Sequence, residues 1–149
     1  MNTGKQVMKY LILILVTSVW NYAKAQTAKL ILNVENVKPA EKSVIYIGIY
    51  DNKDSFAIQG KEVFGKQVKV KDQSSLTVSF EDLPAGTYAI AVFHDSNNNG
   101  KLDKNWLGVP TEGYGFSNAT GTLGPPDFQD AIVNLKKGYI TELNIKLKY

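Results

Sequence analysis

The C-terminal segment "GYITELNIKLKY" alternates without a break: Tyr139, Thr141, Leu143, Ile145, Leu147 and Tyr149 fall on one side, Glu142, Asn144, Lys146 and Lys148 on the other. A period of two residues puts one face of a β-strand on a core and the other in water. "AKLILNVENV" repeats the pattern with Leu30, Leu32 and Val34, and "SLTVSF" repeats it with Leu76, Val78 and Phe80. Beyond the N-terminal segment no stretch sustains an apolar period of 3.6, so the chain reads as all-β.

Two further segments, "SVIYIGIY" and "GTYAIAVF", are apolar on both faces, which marks central strands. Gly48, Ala89 and Ala91 keep one side of them thin, where something packs closely. Pro84 and Gly86 in "EDLPAG" set a sharp reversal, a hairpin or a sandwich corner. Weaker strands are expected near Phe56, around Val68 and Val70, and around Ile132 and Val133. About seven or eight strands separated by turns suggest a single antiparallel β-sandwich, transthyretin-like or immunoglobulin-like. From Asp95 to about Asp130, six Gly, three Pro and recurring aromatics predict one long ordered excursion folded back on the sandwich.

At the other end, "MNTGKQVMKYLILILVTSVWNYAKAQ" places Lys5 and Lys9 before an apolar run from Tyr10 to Trp20, then Ala23-Lys24-Ala25. This is the pattern of a signal peptide over residues 1–25, cleaved before Gln26; the apolar run is about half the ~20 residues that a membrane span requires. Residues 26–149 then form one β-sandwich domain, exported to the periplasm or the extracellular space. Three of the 17 basic residues, all of them Lys, leave with the signal peptide, so 14 Lys face 14 acids and the formal net charge is zero. That balance removes the electrostatic case for nucleic acid or an anionic membrane as partner, and no stable membrane insertion of the mature chain is expected. Without cysteine there is neither a disulfide framework nor a thiolate metal site.

The excursion begins with "DSNNNGKLDKNWLG". Counting Asp95 as position 1 puts Asn97 at 3, Asn99 at 5, Gly100 at 6, Lys101 at 7 and Asp103 at 9, the first three quarters of a calcium-loop pattern. Ca2+ takes six to eight hard oxygens, alternate side chains in a tight turn converge on one point, and Gly permits the reversal at position 6. Lys101 would offer its backbone carbonyl. Position 12 is Trp106 where helical calcium loops carry a bidentate Glu, so another residue must close the shell: Glu112 is the nearest acid, with Asp127 and Asp130 farther along. The entering element is a strand, which favours a static structural ion of extracellular-type affinity, about 10⁻⁴ to 10⁻³ M. The alternative is an Asn/Gly-rich turn with no ion.

His94, the sole histidine, shares a face with Tyr88, Ile90 and Val92. It reads as a strand-end residue that hydrogen-bonds locally and packs on its neighbours, with a catalytic or metal role as the alternative. No nucleophile elbow, phosphate loop or zinc-spaced ligand pair is present.

Taken whole, "LPAGTYAIAVFHDSNNNGKLDKNWLGVPTEGYGFSN" resembles the domain-of-unknown-function family 2141, small bacterial proteins with signal peptides. The resemblance extends through "FQDAIVNLKKG" and the last strand. It implies Asp95, Asn97, Asn99, Asp103 and Glu112 as ligands but no reaction. Three roles stay open: a binding or accessory module for a protein or glycan at the cell envelope, an envelope enzyme with His94 and Glu112 beneath the loop, and a carbohydrate-binding domain using Tyr114, Phe116 or Trp106.

Overall fold

The computed structural model describes residues 27–119 and 124–149. The proposed signal peptide, residues 1–25, lies outside them. The strands are β1 (Thr27–Glu35), β2 (Val44–Tyr50), β3 (Phe64–Lys69), β4 (Ser75–Pro84), β5 (Gly86–Asp95), β6 (Gly113–Phe116), β7 (Ile132–Leu135) and β8 (Ile140–Lys146), all but β6 where the sequence pattern places them. A 3-10 turn, Phe128–Ala131, leads into β7. One sheet has the order β4-β1-β8 and the other β3-β2-β5-β6, with β7 also on β5. Leu30, Leu32 and Val34 of the first sheet meet Ile45, Ile47, Ile49, Ile90 and Val92 of the second in a shared core. The chain is a β-sandwich. Among the described residues no helix is long and apolar enough to cross a membrane.

The strand pairs are antiparallel except one: β8 runs parallel to β1, with Leu32 opposite Leu143 and Val34 opposite Ile145. The "EDLPAG" reversal is a corner between sheets. β4 belongs to the first sheet and β5 to the second, and the Tyr88 hydroxyl donates back to the Pro84 carbonyl at 3.0 Å, the tyrosine-corner device of sandwich folds.

β5 organises the second sheet. Along one edge it pairs with β2 from Ala89 to Asp95. Its other edge is shared, because β7 covers Gly86 to Ala89 and β6 covers Ala91 to His94. Ile90, left between them, is served by Ser117: the Ser117 Oγ accepts the Ile90 N–H at 2.9 Å and donates to the Ala131 carbonyl, while the Ser117 N–H reaches the Ile90 carbonyl at 2.9 Å. Ser117 is fully buried.

Two readings of the sequence change here. No strand forms near Phe56; residues 51–63 turn over the second sheet, and the Phe56 ring packs edge-on against Tyr50, Phe116 and Phe128. Its neighbours Asp51, Asn52 and Asp54 are turn formers, and Asn52 accepts the Ser55 N–H at 3.0 Å. Conversely, β6 lies inside the segment read as irregular. Its pattern is inverted, with Gly113 and Gly115 inward and Tyr114 and Phe116 outward. A Cβ on Gly115 would stand 2.6 Å from Ile145 Cγ2, and one on Gly113 would stand 2.5 Å from the Tyr149 ring. Only glycine lets this edge close over the end of β8, where Tyr114 and Lys148 exchange backbone hydrogen bonds at 2.9 Å.

Ser117→Ala strands the buried Ile90 N–H without its acceptor. Denaturant unfolding should show a loss of about 1–3 kcal/mol; an unchanged midpoint would mean that the two short strands do not need this splice.

Candidate metal loop and ligand cleft

β5 ends by placing Asp95, fully buried, at the base of the loop. Asp95 Oδ1 accepts the Asn99 N–H at 3.0 Å and Oδ2 accepts the Gly100 N–H at 2.7 Å. The turn closes through left-handed backbone at Asn98 (φ 59) and Gly100 (φ 80), residue types that tolerate it. Asn97 Oδ1 accepts the Asn99 N–H at 3.1 Å and Asn99 Oδ1 accepts the Lys101 N–H at 2.9 Å. Both amide groups then point at one carboxylate: Asn97 Nδ2 lies 2.7 Å from Asp103 Oδ2, and Asn99 Nδ2 lies 3.0 Å from both Asp103 oxygens. Glu112, at the foot of β6, clasps the two ends. Its Oε1 accepts the Ser96 N–H at 2.8 Å and the Ser96 hydroxyl at 2.7 Å, and its Oε2 accepts the Asp103 N–H at 3.0 Å.

Asp95, Asn97, Asn99, Asp103 and Glu112 are therefore drawn into one hydrogen-bonded knot, which Lys101 enters through its backbone. Asp127 and Asp130 are not part of it. Asp127 precedes the 3-10 turn before β7 and Asp130 lies within it, and Ile132 of β7 pairs with Ala89, six residues or about 20 Å of extended strand before Asp95.

The knot has capacity left for a cation. Each carboxylate oxygen carries two lone pairs, and each Asp95 oxygen spends one on the backbone. The side-chain oxygens of Asn97 and Asn99 each accept one backbone N–H and keep a second lone pair. Glu112 has three of its sites in use and acts chiefly as the clasp. Among the described residues no three acidic or histidine side chains stand close enough to hold an ion unaided, so amide and carbonyl oxygens would have to supply part of any shell.

Beneath the loop, His94 is fully buried on the inner face. Its Nδ1 is 2.8 Å from the Tyr149 hydroxyl, which also accepts the Lys38 N–H at 2.9 Å, and its Nε2 has no hydrogen-bond partner among the described residues. Burial lowers its pKa below the usual histidine value, against the opposing pull of the Glu112 and Asp95 carboxylates. His94 thus packs and bonds locally.

On the outer face of the same sheet lies a cleft of about 830 Å³. Its floor is a row of small residues in register, Gly65, Gly48 and Ala91, ending at Phe116. The Tyr50 ring lies over Gly48, where a Cβ would stand 2.7 Å from the Tyr50 hydroxyl oxygen. In the next row Tyr46 and Phe93 stack with centroids 4.6 Å apart and planes within 2°. One wall comes from residues 57–62, with Gln59 and Glu62, and the other from residues 101–110, with Lys101, Leu102 and Lys104. Gln59 Nε2 joins the walls by donating to the Gly100 carbonyl at 2.5 Å. The loop that carries the metal-type side chains is thus also a wall of the cleft. His94 and Glu112 do not line it, whereas Tyr114 does, with its side chain largely buried.

Sequence reasoning singled out neither Tyr46 nor Phe93 on the cleft floor. The available signal was parity: both sit where a strand with one wet face would carry polar side chains.

The family described as "Uncharacterized protein conserved in bacteria (DUF2141)" matches residues 32–142. The chain belongs to this family. The DUF2141 match begins within β1 and ends within β8, so it takes in the body of the sandwich, the loop and the cleft. No curated protein and no solved structure matches.

Tyr50 provides a check on the cleft floor. Burial, reinforced by the nearby Glu62 carboxylate, pushes its phenol up to about 12 from the usual 10.0. Because the folded state holds the neutral phenol, its contribution to stability is complete below pH 10 and disappears as pH rises toward 12. Ultraviolet titration should reveal a phenol ionising near pH 12 that Tyr50→Phe removes; an unchanged profile would place Tyr50 in water.

Proposed function

We infer that the protein is an exported β-sandwich module that holds one structural calcium ion in its 95–103 turn and binds its partner at the cell envelope. The observation that carries the calcium reading is the convergence of Asp95, Asn97, Asn99 and Asp103 on a single turn, clasped by Glu112 at both ends. Oxygen donors, alternate spacing and a glycine at the reversal are what a hard cation requires. Export is supported by the charged, apolar and small-residue succession of residues 1–25. The module reading is supported by a sandwich scaffold that presents a walled cleft, the usual form of a binding site.

Calcium acts here by tying down the cleft wall. With a Kd near 0.1 mM in about 1 mM calcium, mass action adds roughly 1.4 kcal/mol. After metal stripping, stepwise addition of Ca2+ should raise the melting temperature by several degrees and then saturate. Mg2+ should do much less, being held to near-octahedral geometry and reluctant to dehydrate. Asp95→Ala and Asp103→Ala should abolish the response, and the second, at a less buried part of the turn, separates loss of the ion from loss of the fold. No response at about 5 mM Ca2+, well above the affinity range expected of such a site, would leave the turn as a hydrogen-bonded knot without an ion.

A further inference from the structure

We propose that the cleft on the outer face of the second sheet binds a neutral oligosaccharide. The inference deepens the binding-module reading by naming the ligand class, and it does not require the calcium ion.

The argument rests on how apolar and polar groups are distributed. The half-buried rings of Tyr46, Phe93 and Phe116 supply apolar surface at the floor, against which the C–H groups of a pyranose pack. Around them stand groups that suit hydroxyls in both directions: Gln59, Gln67 and Glu62 accept, and Gln59, Gln67, Lys101 and Lys104 donate. A hydrocarbon chain would make no use of these groups.

Charge narrows the class further. Glu62 stands on one wall, and Lys101 and Lys104 stand on the other. An anionic ligand that spans the cleft meets a carboxylate on one side, and a cationic ligand meets two ammonium groups on the other. A neutral polyol hydrogen-bonds to both without either conflict. The volume, about 830 Å³, lies within the range of small-molecule sites and exceeds the needs of a single monosaccharide.

Trp106 adds a rim. It lies between Lys104 and Gly108, both of which line the cleft, and is 90 % exposed. Asn105 fixes the turn that displays it: the N–H groups of Leu107 and Val109 both donate to Asn105 Oδ1 at 3.0 Å. An indole held in water by an ordered turn beside the cleft is placed to sense what enters it.

Trp106 is also the reporter. In a Trp20→Phe chain it is the sole indole. Cello-, malto-, xylo-, manno- and chito-oligosaccharides are titrated against its fluorescence and by calorimetry, beside laurate and oligogalacturonate. At least one neutral series should shift the emission to the blue in a saturable manner. Phe93→Ala and the exposed Glu62→Gln should each weaken that binding at least tenfold. The second leaves the core untouched, so its effect cannot be attributed to misfolding. Saturable binding of laurate or oligogalacturonate alone would overturn the proposal, as would no saturation with any probe, or neutral-sugar binding indifferent to both substitutions. The same samples with and without calcium separate the two readings: sugar binding without a calcium response rejects only the ion, and a calcium response without sugar binding rejects only the ligand.

Discussion

The structure depends on β5 having both of its edges satisfied. A central strand cannot leave backbone N–H and C=O groups buried and unpaired. Here one edge is met by β2, and the other is assembled from β7, Ser117 and β6. Because residues 96–112 separate β5 from β6, the chain must return to the sheet in register, and that return brings Glu112 to the end of β5. The Asp95 turn and its clasp are thus consequences of how β5 is completed. The two faces of β5 then divide the work: Tyr88, Ile90, Val92 and His94 close the core, and Ala91 and Phe93 form the floor of the cleft.

The fold was legible where alternation was strong. Leu30, Leu32, Val34, Ile145 and Leu147 are buried as their parity requires, and the doubly apolar "SVIYIGIY" and "GTYAIAVF" became interior strands. Phe56 misled because an aromatic among turn formers can be buried by other aromatics without a ladder. β6 was hidden because its inward residues are glycines, required by the close approach of Ile145 and Tyr149 and carrying no hydrophobic signal of their own. The parallel pairing of β1 with β8 leaves no mark in either strand, since alternation specifies a face and says nothing about the direction of a neighbour.

The loop was more legible than the cleft for a chemical reason. Metal-type side chains must crowd into a short turn, so their spacing survives in one dimension. The cleft draws Tyr46, Gln59, Glu62, Phe93 and Lys101 from separate segments, and only the register of β2 with β5 and the Gln59–Gly100 hydrogen bond bring them together. That bond also makes the loop and the cleft parts of one object: any event that tightens the 95–103 turn alters the freedom of the opposite wall.

The neighbourhood of β1 and β8 has a kinetic side. These strands lie at opposite ends of the sandwich sequence, with side-chain contacts such as Asn33 to Asn144 joining residues 111 apart. The middle strand of the first sheet keeps one edge open until the last strand has been made and has found its way back. Long-range pairings of this kind place such chains among the slower folders, on the millisecond-to-second scale. A chain that stays open until its far end arrives remains threadable for as long as that closure takes.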